Sequence, residues 1–187
     1  MKKFLLAVMA AAFLGCSFTT QAKDFNIGEA LIFYIPNRII DAFDTFTVNV
    51  GIGPTIRAEL MATQAIKVGG GIGYTFKAFK DFNRQYGIGV QDGYYWSLIA
   101  IGQEDMERKD TMGFVKPYYE EFRGVPTPNQ QIYEFYQGKR DYWQIGGALG
   151  LLVEAEVYIH PVEIADFVAG FFFLDIRQDD LRSENFR

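Results

Sequence analysis

The feature that most constrains this fold is an alternation of side chains along residues 144–159. Every second residue from Ile145 to Ile159 is apolar or glycine, whereas the positions between them include Glu154 and Glu156. Because successive side chains of a strand point to opposite faces of a sheet, the segment is predicted to form one long strand, or two collinear ones. One face of that strand is apolar. The pattern describes a scaffold and identifies no reaction.

Shorter alternating runs precede this segment and predict further strands. Glycine recurs in them, and glycine within strands is typical of bulges, strong twist or close approach of another backbone. A Gly53-Pro54 pair predicts a turn between the first two strands. The sequence therefore predicts a glycine-rich antiparallel meander. Its strands fall within residues 45–60, 66–78, 86–90 and 94–101.

Two segments carry apolar residues at helical spacing. The first is predicted to run from Pro36 to Asp44, and the second begins at Pro161, since proline suits the first turn of a helix. Residues 25–35 are compatible with a short helix or an edge strand. The predicted fold class is α+β, in which the two short amphipathic helices pack on the apolar face of the sheet.

A small outer-membrane β-barrel is the alternative architecture. Its alternating strands would place lipid, rather than helices, against the apolar face. The barrel leaves the two amphipathic helices without a sheet to cover, and only six or seven strands are clear in the sequence. The α+β sheet is therefore the favoured interpretation.

The N-terminus has the features of an export signal. Lys2 and Lys3 precede an apolar run, and a small-residue site ends at Ala22, so residues 1–22 are predicted to be a signal peptide. Cys16, the only cysteine, allows a competing cleavage followed by lipidation of its thiol. Cleavage after Ala22 is slightly favoured. Neither product contains a disulfide.

Removal of residues 1–22 leaves 16 basic and 23 acidic residues. Phosphate binding requires a basic face, and none is visible, so nucleic acid is an unfavourable partner. The sequence predicts export to the periplasm or the periplasmic face of the outer membrane. It also predicts a single domain over residues 23–187, whose oligomeric state the sequence does not determine.

Few residues are suited to catalysis or metal binding. His160 is the only histidine, no serine lies in a nucleophile-elbow context, and the mature chain offers no cysteine ligand. We predict no enzyme, cofactor or metal, and a capping or exposed position for His160. Acidic pairs can act as general acid and base. Cross-strand ion pairing on a wet sheet face is the preferred interpretation of Arg57, Glu59, Glu154 and Glu156.

Residues 103–141 differ from the rest in composition, being first charged, then rich in proline and finally aromatic. They are predicted to form a polar and aromatic insertion. Rigid amphipathic rings suit recognition, so a partner-contact surface is one interpretation. Packing of these rings back onto the sheet is the favoured one. The candidate contact residues are Tyr118, Tyr119, Phe122, Tyr133, Phe135 and Tyr136.

The glycine-rich strands and the ending HPVEIADFVAGFFFLDIRQDD, with a weaker echo in IPNRIIDAFDTF, resemble small exported proteins of Gram-negative bacteria, often labelled lipoproteins. The resemblance implies a location and a fold type, and no chemistry. We therefore expect an exported cell-envelope protein with a structural or partner-binding role. A protein partner in the envelope or association with the outer membrane would fit this role. A small barrel acting as pore or anchor is the alternative.

Overall fold

The computed structural model of the protein describes residues 27–172, 174, 176 and 177. The predicted signal peptide and Cys16 lie outside the described residues. Apart from a short 3-10 helix (Gln131–Tyr133), the described chain forms two helices and six strands. They are α1 (Ile27–Asp44), β1 (Phe46–Thr63), β2 (Ile66–Asp81), β3 (Gln85–Leu98), β4 (Gly102–Gly113), β5 (Tyr118–Gly124), β6 (Ile145–Ile159) and α2 (Pro161–Gly170).

All six strands belong to one antiparallel sheet of order β5-β4-β3-β2-β1-β6. The first five strands form a meander, and β6 returns to pair with β1, so that Phe46 lies opposite Ile159. The predicted α+β class and antiparallel meander are confirmed. The sheet is open, with β5 and β6 as its edges, and the described strands form no closed barrel.

Two segments differ from their predicted structure. Gly53 and Pro54 do not end a strand: β1 continues through them, with a shift in its register against β6 between Ile52 and Ile56. Proline has no N–H for the ladder, so it causes an irregularity at this point. The segment predicted as an insertion over residues 103–141 supplies nearly all of β4 and the whole of β5. Residues 125–144, which we call the inner segment, connect β5 to β6 without being part of the sheet.

The helices do not cover the sheet as predicted. They contact each other, and α1 begins nine residues before the predicted start at Pro36. One residue, Thr45, separates α1 from β1, and one residue, His160, separates β6 from α2. These connections leave little chain for folding a helix back over the sheet. None of the helices among the described residues is long and apolar enough to cross a membrane.

The sheet buries its charged face and exposes its apolar face, which is the reverse of the usual arrangement in water-soluble proteins. The inner face, which we define by its buried side chains, is rich in charged and polar residues such as Arg57, Lys77 and Glu154. The outer face exposes apolar side chains on β6, β1, β2 and part of β3. We call this exposed set the apolar band. It consists of Ile145, Leu149, Leu151, Val153, Val157, Ile159, Phe46, Val48, Val50, Ile52, Ile56, Leu60, Ile66, Val68, Ile72, Tyr74, Phe76, Tyr94, Trp96 and Leu98.

The outer face changes character at β4. Outward positions on this strand and on β5 are polar or charged along most of their length. We call them the polar strip. The sheet therefore has an apolar side and a water-compatible side on the same face. The polar strip consists of Gln103, Asp105, Glu107, Lys109, Tyr119, Glu121 and Arg123.

Glycines on the inner face make room for long side chains from neighbouring strands. Gly51 lies opposite Lys77, and a Cβ at Gly51 would stand 2.6 Å from Lys77 Cγ. Gly71 lies opposite Arg57 and Tyr95, and a Cβ there would stand 3.0 Å from Tyr95 Cε1. The glycine-rich strands thus accommodate a charged interior.

Candidate functional site

The centre of the inner face is an ion cluster built from three adjacent strands. Arg57 on β1 and Lys77 on β2 both contact Glu154 and Glu156 of β6. Lys77 Nζ lies 2.6 Å from Glu156 Oε1 and donates a hydrogen bond of 2.6 Å to Gln91 Oε1. The Lys77 side chain is almost fully buried, so each of these charges depends on its partners for stabilisation.

The cations of this cluster favour the ionised form of Glu156. Burial raises the pKa of Glu156, but Lys77 and Arg57 outweigh that effect, and the pKa lies well below its ordinary value. Asn49 Nδ2 also donates a hydrogen bond of 2.8 Å to Glu156 Oε2. The predicted ion pairing of Arg57 with these glutamates is confirmed. The predicted wet face is wrong, because these residues are buried.

A second ion cluster joins the sheet to the inner segment. Arg140 of the inner segment contacts Glu104 on β4, and Lys67 Nζ on β2 lies 3.7 Å from Glu104 Oε2. Burial raises the pKa of Glu104, but Arg140 and Lys67 outweigh burial and lower it. Because β2 and β4 are separated by β3, the Lys67–Glu104 pair brings non-adjacent strands together on the inner side.

The acid sensitivity of this cluster follows from the lowered pKa of Glu104. Its ion pairs stabilise the fold fully above the ordinary glutamate pKa, and this contribution is lost as pH falls through the lowered value. We expect Glu104→Gln to reduce the free energy of unfolding at pH 7 by about 2 kcal/mol, with the gap to wild type closing in acid. Urea unfolding from pH 7 down to pH 3 measures it. A gap that stays constant with pH would contradict this assignment.

A third polar network surrounds the only histidine. His160 Nδ1 lies 2.7 Å from Asp141 Oδ2, and His160 Nε2 lies 2.8 Å from Thr47 Oγ1. The Thr47 hydroxyl donates a hydrogen bond of 2.7 Å to Asp81 Oδ1, and Arg108 Nη1 donates one of 3.1 Å to Asp81 Oδ2. Both ring nitrogens of His160 thus lie within hydrogen-bond distance of a side-chain oxygen, and these two contacts orient the ring.

The Asp141–His160–Thr47 series has the order of a catalytic triad but not its accessibility. His160 is 0% exposed and its ring stacks on Phe82, with ring centroids 5.1 Å apart. Thr47 is also fully buried. No substrate can reach this hydroxyl in the described structure. The network instead connects β1, β2 and the inner segment to His160, which directly precedes α2. The predicted exposed or simple capping position of His160 is therefore wrong.

The inner face leaves little space for a ligand. A cavity of about 40 Å³ lies among residues of all three networks, including Arg57, Glu104 and Arg108. This volume suits one or two water molecules. Among the described residues, no group of three or more His, Cys, Asp or Glu side chains could hold a metal ion. The arrangement is suited to holding the sheet together.

The six candidate contact residues do not form one surface. Tyr118 and Tyr133 are buried in an apolar cluster of the inner face, so they cannot serve as a contact surface. That cluster comprises Tyr95, Met106, Tyr118, Ile132, Tyr133 and Tyr142. The favoured expectation, that rings of this segment pack back onto the sheet, holds for these tyrosines.

The other four candidates are scattered. Tyr119 is exposed on the polar strip, on the opposite face from Tyr118. Phe135 and Tyr136 of the inner segment form an edge-to-face pair with centroids 5.0 Å apart, and Tyr136 is exposed. Phe122 is partly buried on β5. We therefore assign no contact surface to this set.

The helices continue the reversed burial of the sheet. The buried residues of α1 include Asn37 and Asp41, and those of α2 include Glu163 and Asp166. Arg38 of α1 pairs with Asp41 at 2.8 Å and donates a hydrogen bond of 3.3 Å to the Phe167 carbonyl of α2. The exposed side chains are apolar. They are Ile32, Ile35, Ile39, Phe43, Ile164 and Val168, and Phe171 and Phe172 directly after α2 are also exposed.

The exposed apolar surface is therefore the strongest candidate for an interaction site. Its twenty sheet side chains are 38–75% exposed, and no outward residue of β1 or β6 is charged. Their combined exposed area is on the order of 1,000 Å² or more, against roughly 300–600 Å² for the largest patch on a typical soluble monomer. No protein-family model, curated protein or solved structure matches the chain.

Proposed function

We propose that this protein is an exported component of the cell envelope with a binding or structural role, held to a membrane by its apolar band. In this proposal the acyl chains of the lipid cover the apolar band. The observation that carries the proposal is the reversal of burial, with paired charges inside and aliphatic side chains outside. A contiguous apolar patch of this size is typical of a protein or membrane interaction site, and contact with acyl chains removes it from water.

The chemistry of the band favours lipid over a protein partner. Protein interfaces combine an apolar centre with a polar rim and about one hydrogen bond per 100–200 Å². The outward residues of β1 and β6 supply no polar side chain for such bonds along either strand. Both α1 and α2 also expose apolar side chains, so the apolar surface continues beyond the sheet. Acyl chains require no complementary shape and no hydrogen bonds.

The position of the polar strip supports membrane contact through only part of the outer face, namely the part that the apolar band forms. Asp105 and Glu107 on β4 project outward, as do Glu121 and Arg123 on β5. Ionised side chains at these positions are costly in hydrocarbon and favourable in water. In this proposal β6, β1 and β2 therefore lie against the acyl chains while β4 and β5 remain in contact with water. The predicted export signal supports a location in the envelope.

Flotation with phosphatidylcholine vesicles tests the proposal. The predicted mature chain, residues 23–187, is used, so that neither the signal peptide nor an acyl group on Cys16 contributes to binding. We expect the protein to float with the vesicles and to stay bound after a carbonate wash, because acyl-chain contacts are insensitive to salt and pH. A folded protein that stays in the dense fraction, as a monomer or as a dimer that shields the band, would overturn the proposal.

A further inference from the structure

The turn between β3 and β4 has an unusual sequence for its conformation. Ile99 and Ala100 are its two central residues, between the hydrogen-bonded Leu98 and Ile101, and both have positive φ, at 36° and 61°. Two-residue hairpin turns with positive φ at both positions strongly prefer Asn-Gly or similar pairs. For a β-branched residue such as isoleucine, positive φ is an outlier. Strain of this kind is concentrated at functional sites.

The strained turn is held rigidly against the neighbouring hairpin. Leu98 N donates a hydrogen bond of 2.8 Å to the Ile101 carbonyl and so closes the turn. Ile99 N donates a hydrogen bond of 3.1 Å to the Lys67 carbonyl, and Ala100 N donates one of 2.7 Å to the Ala65 carbonyl. Three backbone N–H groups of the turn are therefore hydrogen-bonded to carbonyls of the protein. The turn is thus held in one conformation before any contact with a membrane.

The side chains of the turn are apolar and exposed. Leu98, Ile99 and Ile101 are 65%, 59% and 57% exposed. Ile66 and Val68 of β2 stand exposed beside them and join the turn to the apolar band. The hairpin between β2 and β3, at the opposite end of these strands, also uses positive φ, but at Asn83 and Arg84. Only the β3–β4 turn combines this conformation with apolar side chains among the described hairpins.

We infer that residues 98–101 form a rigid insertion tip that enters the acyl-chain region when the protein binds a membrane. This inference rests on the proposed function and deepens it, because it identifies the end of the sheet that enters the membrane first. Polar residues at the tip would relieve the strain and remove the apolar contact. In this inference, the contact of Ile99 with acyl chains offsets the conformational cost of its positive φ.

The double substitution Ile99→Asn/Ala100→Gly separates strain from lipid contact. Since Asn-Gly suits the turn, the denaturation midpoint should stay the same or rise. The Kd for phosphatidylcholine vesicles should increase at least tenfold, because the tip loses its apolar side chains. Asn83→Gly in the opposite hairpin is the matched control and should leave the Kd unchanged. A second variant, Leu98→Ser/Ile101→Ser, keeps the turn residues and should weaken binding similarly.

The fluorescence of Trp96 reports whether the tip enters the membrane. It lies on the outer face of β3, three residues before Ile99, and is 47% exposed. In a Trp143→Phe background, vesicle binding should shift its emission to the blue, and brominated phosphatidylcholine should quench it. Wild-type binding with unchanged affinity of both tip variants would overturn the insertion tip alone. Failure of the wild type to bind vesicles at all would overturn the proposed function and the tip with it.

Discussion

Replacing Ile56 with lysine and Leu151 with glutamate will release the protein from phosphatidylcholine vesicles. The two residues lie opposite each other on β1 and β6 and are 63% and 71% exposed. In water the new side chains form a cross-strand ion pair that the sheet tolerates. In hydrocarbon the lysine costs about 2–4 kcal/mol and the glutamate adds a smaller cost. The Kd for vesicles should therefore rise by roughly 100-fold or more.

The matched control places a new cation on the polar strip. Asp105→Lys introduces a charge on β4 opposite Glu121 of β5, so it also forms a cross-strand pair. We expect this variant to bind vesicles as the wild type does. Urea unfolding of both proteins confirms that the fold is retained. Equal loss of binding in the two variants would mean that the apolar band has no special part in the association.

Lys77→Met will have the largest effect on stability. The lysine is almost fully buried and contacts Glu154, Glu156 and Gln91. Its removal leaves two buried glutamates that share only Arg57 as a cation. Removing one partner of a buried ion pair destabilises proteins by about 3–5 kcal/mol. Urea-induced unfolding in detergent micelles measures this loss.

Two further variants distinguish this charge effect from a general loss of packing. Adding Glu154→Gln to Lys77→Met removes the surplus negative charge, and we expect it to restore at least half of the lost free energy. Lys109→Met, on the exposed end of β4, should change the free energy of unfolding by less than about 0.5 kcal/mol. A double variant as unstable as the single one would contradict the role assigned to Lys77.

Period-two patterning located β6, β1 and β2 in the sequence, but it did not show which of their faces is buried. The alternation of Val153, Glu154, Ala155 and Glu156 is the same whether the apolar or the charged face lies inside. The usual rule places the apolar face inside, and it fails here because Arg57 and Lys77 neutralise the glutamates there. Ion pairs between strands that are distant in sequence cannot be recognised from the residue pattern of a single strand.

The strands β4 and β5 were missed for a related reason. The segment GQEDMERKDTMG alternates between buried Glu104, Met106 and Arg108 and outward polar residues, so its two faces differ little in hydropathy. A pattern search needs contrast between the faces. The residues of the inner networks that were not singled out as candidates, Lys67, Lys77, Glu104, Arg108, Arg140 and Asp141, carried no signal beyond their position in or beside a strand.

The reversed burial also changes the interpretation of the helices. Their amphipathic pattern correctly indicated helices near Pro36 and Pro161, and it suggested that each apolar side covers the sheet. In the structure Asn37, Asp41 and Glu163 are buried instead, while Ile39 and Val168 are exposed. The same argument applies to sheet and helices, because both expose the side that a soluble protein would bury.

Contact between the apolar band and acyl chains can be measured at single positions. Trp96→Phe and Trp143→Phe remove both tryptophans, and one tryptophan is then introduced by Leu149→Trp on β6 or by Glu107→Trp on β4. With vesicles of brominated phosphatidylcholine, strong quenching of the first variant and little quenching of the second are predicted. Equal quenching at both positions, or none at residue 149 in a vesicle-bound protein, would contradict the assignment of lipid to this face.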